Sequence, residues 1–557
     1  MIDNLVFIKE TNKAGYLKYA ASEKFSLEGG SFQVEKKIMH VVGLISNWEE
    51  LTTTYAMKSK IDLLSHLLVH QVSNLQALFS GSYAIVIEHL ENDSWEIFSD
   101  RMGNTPLFFW KLENQLILTN SFQSLIQLLK KKKIKLEFSE EKAYQLLTFG
   151  FMLEGQTPFK NIFRLLTDEK IICKEGELKI IPLKRKATQQ RSSTSLVLKD
   201  LCFELNTIFE KIISRNFELD LKYDYHHLVN LSAGLDSRTV TYVANKLGYG
   251  DRITNLTFSQ SQFYDEFIPY KIIKDLNHKW IYNPLNTGRF LKNLDQVLNI
   301  NGGLSIYYGM SHSWDTIQLA SEQNFGLVHS GQLGDALLGG TYVEEPFNPS
   351  NHILLGAYSS RLKHKIHAGL LNNSYATTKE YLLKNRGINF INYGTQPYQV
   401  NHYSLSPFLD NELIDFVNEV PAHLLRNYYL YDRWILTHHP EIAKYKHNGT
   451  RQIGKAKSQT FRIFNRDIDL NLFHKKLVEK VLYNQRYSLL EMNPIAAWID
   501  QNENLNSFFQ TSFEQNLSLL DAYPELKKDV EILFTQGVGK EKLLSITFLA
   551  ALKKWFE

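Results

Sequence analysis

The sequence predicts a two-domain α/β protein, in which a β-rich domain precedes a domain built on a parallel sheet. The chain has 557 residues, which is too long for one hydrophobic core. Short β-branched and aromatic segments separated by turn residues dominate its first third. From there to about residue 340, helical patterns alternate with short apolar strands. This alternation is typical of a doubly wound parallel sheet covered by helices on both faces.

The domain boundary is predicted at the polar stretch KRKATQQRSSTS, which has almost nothing to bury. We therefore expect a first domain at residues 1–184, a linker at 185–195 and a second domain at 196–557. Helical patterns prevail after about residue 345. The parallel-sheet domain is thus expected to carry added helices.

The composition excludes several classes of function. The 62 basic and 59 acidic residues leave a net charge of +3, so no nucleic-acid partner is predicted. The start, MIDNLVFIKE, lacks the pattern of a signal peptide, and no run of about 18 apolar residues occurs, so we expect neither export nor membrane insertion. Cys173 and Cys202 have neither metal-ligand spacing nor the number needed for a disulfide framework. A cytoplasmic location is therefore expected.

The segment LVNLSAGLDSR, residues 228–238, is predicted to bind phosphate. An apolar strand runs into a loop of small residues and then into a helix. Small residues allow backbone N–H groups to close around anionic oxygens, and the helix directs the positive end of its dipole to the same place. Ser232 and Ser237 add hydroxyl donors. Asp236 would repel phosphate, so we expect it to hold a Mg²⁺ ion that bridges the phosphates.

This loop resembles the SGGxDS loop of the ATP-pyrophosphatase superfamily, and more narrowly that of asparagine synthetase B type enzymes. It has no lysine at its end, unlike the GxxxxGK[ST] loop of kinases and GTPases. Further segments resemble motifs of the same family in the expected order. They are LFSGSYA (78–84), DRMGNTPL (100–107), TPFKNI (157–162), VHSGQLGDALLGG (328–340) and PFLD (407–410).

The resemblance implies an Ntn-amidotransferase-like αββα domain followed by an ATP-pyrophosphatase domain, with ATP and Mg²⁺ as cofactors. Asp236 and Asp335 correspond to the Mg²⁺ ligands. The implied reaction is attack of a substrate carboxylate on the α-phosphorus, departure of pyrophosphate into the loop, and displacement of AMP by an amine. The implied nucleotide contacts are Leu231, Ser232, Gly234, Asp236, Ser237, Phe258, Ser330 and Gly331.

The first domain is expected to lack glutaminase activity. Glutamine-hydrolysing members of the family have a nucleophilic cysteine directly after the initiator methionine, whereas this sequence has Ile2. Cys173 and Cys202 are both far from that position. The source of the amine is left open between free ammonia, a separate amidotransferase and an amino group of the substrate itself.

Four residues are candidates for catalysis. Tyr403 lies four residues before PFLD, where the resemblance to β-lactam synthetases implies the tyrosine of a Tyr-Glu dyad. His438 lies near the position of the dyad's acid, and a histidine can deprotonate an attacking amine. The alternative is that Tyr403 packs in the core and His438 only ends a helix. Lys455 and Arg451 are both candidates for the family's lysine that stabilises charge on the adenylate.

These features predict an ATP-dependent ligase that closes a lactam within one molecule, as β-lactam synthetases and lasso peptide cyclases do. Its substrate would be a small-molecule or peptide carboxylate, and in the peptide case a precursor peptide and a protease would be its partners. One alternative is ammonia-dependent amidation of a sugar or amino-acid carboxylate. Another is a catalytically inactive protein that binds nucleotide.

Overall fold

The computed structural model has the predicted α/β architecture, with antiparallel sheets in the first domain and a parallel sheet in the second. Lys455 and nearly all of the predicted linker lie outside the residues that it describes. The described residues are 3–10, 13–20, 22–70, 72, 74–174, 177–183, 191, 197–321, 323–339, 344–448, 451–454, 460–463, 466–469 and 491–557.

The first domain contains a sandwich of two antiparallel sheets. Its strands are β1 (Asn4–Lys9), β2 (Tyr16–Ala20), β3 (Gly30–Val34), β4 (Lys37–Ile45), β5 (Gly81–His89), β6 (Ser94–Ser99), β7 (Phe108–Leu112), β8 (Gln115–Thr119), β9 (Ile162–Arg164), β10 (Glu169–Lys174) and β11 (Glu177–Pro182). One sheet has the order β2-β1-β8-β7-β9, and the other has the order β11-β10-β6-β5-β4-β3.

Alternation along the strands places apolar side chains on both faces of each sheet. In β5, Ala84 and Val86 face the other sheet, whereas Tyr83 and Ile85 face the covering helices. Two helices cover the six-stranded sheet and two cover the five-stranded sheet, which gives the predicted αββα arrangement. These helices are α1 (Trp48–Thr54), α2 (Lys60–Val69), α3 (Phe122–Lys131) and α4 (Glu140–Phe149).

The second domain is built on a five-stranded parallel sheet. Its strands are β12 (His226–Asn230), β13 (Ile253–Ser259), β14 (Lys279–Pro284), β15 (Phe325–His329) and β16 (Ser404–Leu405). Their order is β14-β13-β12-β15-β16, and all of the pairs are parallel. The order reverses between β12 and β15. In doubly wound sheets this reversal opens a crevice at the carboxyl ends of the two strands, where ligands bind.

Helices cover both faces of the parallel sheet. The helices are α5 (Leu198–Lys222), α6 (Leu235–Lys246), α7 (Tyr264–Leu276), α8 (Leu294–Asn301), α9 (Tyr308–Ile317), α10 (Gly334–Leu337), α11 (Pro349–His352), α12 (Thr378–Leu382), α13 (Asn411–Glu419), α14 (Ala422–Leu425) and α15 (Tyr429–His438). One face packs against α5, α6, α13 and α15, and the other packs against α9. A π-helix spans Leu383–Asn392.

The C-terminal helices join the two domains. They are α16 (Ile495–Gln501), α17 (Glu503–Asn516), α18 (Pro524–Thr535) and α19 (Lys540–Phe556), and a hairpin of β17 (Thr460–Ile463) and β18 (Arg466–Asp469) precedes them. The rings of Phe159 and Trp555 lie 5.4 Å apart, and the Tyr144 hydroxyl donates to Asp529 at 2.8 Å. Both domains therefore contribute to one hydrophobic cluster, although the sequence suggested two separate cores.

In the part of the chain that the structure describes, no helix combines the length and the apolar character needed to cross a membrane.

Candidate active site

A cleft of about 320 Å³ opens at the carboxyl ends of β12, β13 and β15. The phosphate-loop motif follows β12 and the second aspartate motif follows β15, so the reversal of strand order brings the two motifs together. The lining includes every predicted nucleotide contact and both predicted metal ligands. These residues are Leu231, Ser232, Gly234, Asp236, Ser237, Phe258, Ser330, Gly331 and Asp335.

Two serine hydroxyls shape the loop between β12 and α6. The Ser237 hydroxyl accepts from the Ser232 N–H at 3.0 Å and lies 2.9 Å from the Ser232 hydroxyl. The Ser232 hydroxyl in turn accepts from the Gly234 N–H at 3.1 Å. The Ala233 N–H donates to the buried Asp265 carboxylate at 2.6 Å. The loop therefore places two hydroxyl groups, small side chains and the start of a helix at the cleft, and these features favour phosphate binding.

The two motifs approach so closely that glycine is required where they meet. A Cβ atom on Gly331 would lie 2.5 Å from the Ser237 nitrogen, and one on Gly334 would lie 2.6 Å from the Asp236 carboxyl carbon. Between these glycines, Leu333 has a left-handed φ of 63°. Such a conformation is costly for leucine and persists only where the surrounding contacts impose it. The two motifs can therefore lie this close because two glycines leave room between them and because Leu333 adopts an unfavourable backbone conformation.

Asp236 is a buried carboxylate with an incomplete set of hydrogen bonds. Its Oδ2 atom accepts from the Asp335 N–H at 2.8 Å, whereas its Oδ1 atom is buried without a partner. Burial, and then the negative charge of Asp335, raise the pKa of Asp236 well above its usual value. A divalent cation between the two carboxylates would relieve both effects. The site therefore fits the predicted Mg²⁺ ion, whose ligands in proteins are oxygen atoms of this kind.

Arg238 holds a wall of the cleft in place. The side chain is fully buried, and it donates to the carbonyl groups of Ala233, Ile442, Tyr445 and Lys446. These bonds tie the phosphate loop to the segment that continues into His447 and Asn448, which line the cleft.

Beneath the cleft, Asp220 fixes the end of β15. Its Oδ2 atom accepts from His227 Nδ1 at 2.9 Å and from His329 Nε2 at 2.8 Å, and its Oδ1 atom accepts from the Leu327 N–H at 2.8 Å. Burial opposes ionisation of Asp220, but the two imidazoles lower its pKa below the usual value. Because His329 directly precedes Ser330, this network positions a predicted nucleotide contact.

Tyr403 does not line the cleft. Its hydroxyl donates to Asp3 Oδ2 of the first domain at 2.7 Å, and its ring packs in a buried cluster that includes Phe25. Its backbone carbonyl accepts from the Val328 N–H, so Tyr403 joins the sheet beside β15 with its side chain directed toward the first domain. The structure therefore does not bring Tyr403 to the cleft, and the core-packing alternative describes its surroundings.

His438 also does not line the cleft. It ends α15, and its carbonyl accepts from the Lys246 ammonium at 3.2 Å. Lys246 is the last residue of α6, whose first turn lines the cleft, so about 16 Å of helix separates the two ends. His438 is predicted as a catalytic base from its distance along the sequence from Tyr403. The structure shows that the helix carries this residue away from the cleft.

Arg451 contacts a residue of the cleft lining but does not line the cleft itself. Its guanidinium forms two hydrogen bonds with the Asp432 carboxylate, at 2.6 and 2.9 Å, and lies 4.4 Å from the centre of the Tyr428 ring. Its Nε donates to His447 Nδ1 at 3.4 Å, and His447 lines the cleft. Arg451 is thus adjacent to the site but paired with Asp432.

Sequence reasoning missed several residues of the site. Asp265, His447, Asn448 and Met492 line the cleft, and the Tyr431 hydroxyl interacts with the Asp236 carboxylate. Asp265 could have been found, because it is a polar residue shortly after a strand whose carboxyl end faces the ligand position. No sequence pattern marks the others, which reach the cleft only through tertiary packing.

Comparison with known proteins bears on the first domain. Residues 33–184 match the family model described as a glutamine amidotransferase domain. This match agrees with the αββα arrangement, and the first domain is thus similar to glutamine amidotransferase domains. A search of curated proteins found no match.

Three solved structures show weak similarity. Glutamine phosphoribosylpyrophosphate amidotransferase from B. subtilis, in complex with ADP and GMP, is 9% identical over 70% of this chain and 88% of that chain, with a TM-score of 0.24. The allosteric regulatory enzyme of purine biosynthesis is 10% identical over 70% and 87%, with a TM-score of 0.23. NMN synthetase from Francisella tularensis is 15% identical over 48% and 100%, with a TM-score of 0.19. At these TM-scores the fold assignment rests on the strand order and packing above.

Proposed function

We propose that this protein is an ATP-dependent carbon–nitrogen ligase, which adenylates a substrate carboxylate with release of pyrophosphate and then forms an amide. The observation that supports this most is the pairing of Asp236 and Asp335 beside a loop suited to phosphate. The amidotransferase-like first domain agrees with amide-forming chemistry in general. The two free cysteines agree with the cytoplasmic location that we propose.

In this proposal the chain contributes positioning and electrostatics. Leu231, Phe258, Ser330 and Gly331 hold the adenosine, and the Ser232–Ser237 loop binds the diphosphate that departs. Mg²⁺, when bound to Asp236 and Asp335, neutralises the charge that accumulates on the phosphates. An oxygen of the substrate carboxylate attacks the α-phosphorus and the bond to pyrophosphate breaks. The amine then attacks the acyl carbon, loses a proton and displaces AMP.

The source of the amine is the second part of the proposal. Burial raises the pKa of Cys173 to about 12 and also raises the pKa of Cys202, so neither thiol is an activated nucleophile for releasing ammonia from glutamine. We therefore propose that an amino group of the substrate closes a lactam, as in β-lactam or macrolactam formation. A peptide substrate would bring a precursor peptide and a protease as partners. Ammonia-dependent amidation of a sugar or amino-acid carboxylate is the second candidate, supported by the same cysteines.

Product analysis tests the adenylation step. The full chain is incubated with α-³²P-labelled ATP, Mg²⁺ and a panel of carboxylic acids, and labelled AMP with pyrophosphate is expected. Asp335→Asn should reduce turnover by about a hundred-fold or more, whereas the exposed Asp251→Asn should not. Release of ADP and phosphate would overturn the proposal. ATP binding without turnover on any acid would favour the catalytically inactive nucleotide-binding protein.

Mass spectrometry of the products tests the amine source. Loss of one water from an amino acid or peptide substrate, without added ammonium, is the expected result for lactam closure. A product that forms only when ammonium is added, and that retains a free amino group, would support amidation instead.

A further inference from the structure

A lysine and an arginine both contact the Tyr358 side chain. The Lys540 ammonium lies 5.2 Å from the centre of the Tyr358 ring and 5.7 Å from that of Tyr308. The Tyr308 hydroxyl donates to the Tyr358 hydroxyl at 3.1 Å, and the Arg386 guanidinium interacts with the same Tyr358 hydroxyl. We refer to Lys540, Arg386, Tyr308 and Tyr358 as the Lys540–Arg386 cluster.

Neither cation of this cluster forms an ion pair within the described part of the chain. Among the residues that the structure describes, no carboxylate lies within 4.0 Å of Lys540 or Arg386. The Arg386 Nε atom is buried without a hydrogen-bond partner. Burial lowers the pKa of Lys540, the more distant Glu491 carboxylate opposes this, and the Arg386 charge adds to the lowering. Holding two like charges together in this way is unfavourable unless an anion binds between them.

The cluster adjoins the cleft through the π-helix. Ile391 and Met492 line the cleft, and Arg386 lies five residues before Ile391 on that helix. The ring of Phe390, the residue before Ile391, lies 5.5 Å from the ring of Tyr358. The cluster is therefore connected to the cleft lining through Phe390, which contacts Tyr358 and directly precedes Ile391.

We propose that Lys540 and Arg386 bind a second anionic group, a carboxylate or a phosphate, of the acid that is adenylated in the cleft. This inference rests on the proposed function and narrows its substrate to dianionic acids. Arg386 offers a planar set of donors and Lys540 a point charge, and both bind carboxylate and phosphate oxygens. The 17-residue helix α19 begins at Lys540, so the positive end of its dipole lies at the same place.

The test compares a dianion with its singly charged amide. The full chain is first saturated with Mg²⁺ and α,β-methylene-ATP, which fills the phosphate loop and cannot release pyrophosphate. Titration calorimetry with glutarate and with glutaramate should then give glutarate an affinity about ten-fold higher, which is the difference expected for one charge-assisted hydrogen bond. A parallel titration with 3-phosphonopropionate shows which second anionic group is preferred. Tighter binding than that of glutarate indicates phosphate, and weaker binding indicates carboxylate.

Substitutions of the two cations test whether the preference for glutarate arises at the Lys540–Arg386 cluster. Lys540→Gln and Arg386→Gln should each remove the preference for glutarate and leave the affinity for the nucleotide analogue unchanged, whereas Lys540→Arg should keep it. Lys542→Gln is the matched control, because Lys542 is on the same helix with its ammonium 4.9 Å from the Phe534 ring. Equal affinity of the wild-type chain for glutarate and glutaramate would overturn the inference, and so would an equal effect of Lys542→Gln.

Failure of this inference is distinguishable from failure of the proposed function. If acids support pyrophosphate release and the two glutamine variants behave as the wild type, the function stands and the anion site is refuted. If no acid supports pyrophosphate release but the variants lose the preference for glutarate, the anion site stands and the adenylation is refuted.

Discussion

At the scale of single residues, Asp236 has a role in the proposed chemistry that conflicts with stability. Its carboxylate is buried beside Asp335. Burial, and then the negative charge of Asp335, raise the pKa of Asp236 well above the usual value. The folded protein therefore binds a proton that the unfolded chain releases. The resulting loss of stability is absent below the usual aspartate pKa and grows as the pH rises toward the folded-state pKa. At neutral pH, which lies above the usual aspartate pKa, the ligand-free protein carries this cost.

We expect Asp236→Asn to raise the melting temperature of the ligand-free protein at pH 7.5 while it abolishes turnover. Asparagine has nearly the same shape but no charge, so the repulsion from Asp335 disappears. A gain of about 1 kcal/mol corresponds to roughly 1 °C for a chain of this size. Scanning calorimetry with and without ATP and Mg²⁺ measures both effects, because the variant should also lose the stabilisation that the ligands provide.

The gain should shrink as the pH is lowered, since the wild-type carboxylate then takes up its proton. Asp251→Asn, at an exposed aspartate, serves as the control and should leave the melting temperature unchanged. A lower melting temperature for Asp236→Asn at every pH would contradict this account.

At the scale of elements, the site depends on how closely the β12–α6 and β15–α10 connections approach. Gly331 and Gly334 allow the contact, and Leu333 adopts a strained backbone between them. The buried Arg238 connects the first of these loops to the wall of the cleft. A displacement of one connection would therefore move both carboxylates relative to the phosphate loop.

Gly331→Ala is expected to reduce turnover by about a hundred-fold, because its Cβ atom would lie 2.5 Å from the Ser237 nitrogen and push the connections apart. Misplacement of about 1 Å at reacting groups has an effect of this size. Steady-state assay of AMP release measures the loss. Gly394→Ala is the matched control, since nothing lies within 4 Å of the added atom there. Wild-type turnover of Gly331→Ala would show that the two connections need not touch.

At the scale of the whole molecule, buried histidines make the fold sensitive to acid. For five of them burial is the main cause of a lowered pKa, so these five are neutral in the folded protein near neutral pH. The folded-state pKa is about 4 for His278, His312 and His402 and about 3 for His439 and His447. Because the unfolded chain binds protons first, their contribution to stability is complete above the usual histidine pKa and is lost as the pH falls toward the folded-state values.

The apparent melting temperature should therefore fall steeply between pH 7 and pH 5, and less steeply for His439→Gln. Glutamine retains a donor for Asn206, which now accepts from His439 Nε2 at 2.7 Å, but it does not titrate. Each such histidine contributes at most about 1.4 kcal/mol per pH unit. Thermal unfolding at a series of pH values gives the slopes. His70→Gln, at an exposed histidine, should leave the slope as it is in the wild type.

The sequence did not predict that the two domains share one hydrophobic cluster. The polar stretch before residue 196 predicts a boundary from a change in composition, but α3 and α4 pack on the C-terminal helices in one hydrophobic cluster. Apolar periodicity shows that a helix has a buried face, and it does not identify the element on which that face packs.

The sequence by itself determined the fold class and the residues around the phosphate loop. The fold class follows from local properties, because the spacing of apolar residues along the chain distinguishes strands from helices. The residues around the phosphate loop follow from the parallel strand order, which places the carboxyl ends of the strands at one edge of the sheet. Only the tertiary structure decided where Tyr403, His438 and Arg451 lie. Their surroundings depend on packing between distant segments: Tyr403 meets Asp3, α15 carries His438 away, and Asp432 pairs with Arg451. Spacing along the chain carries no information about such contacts.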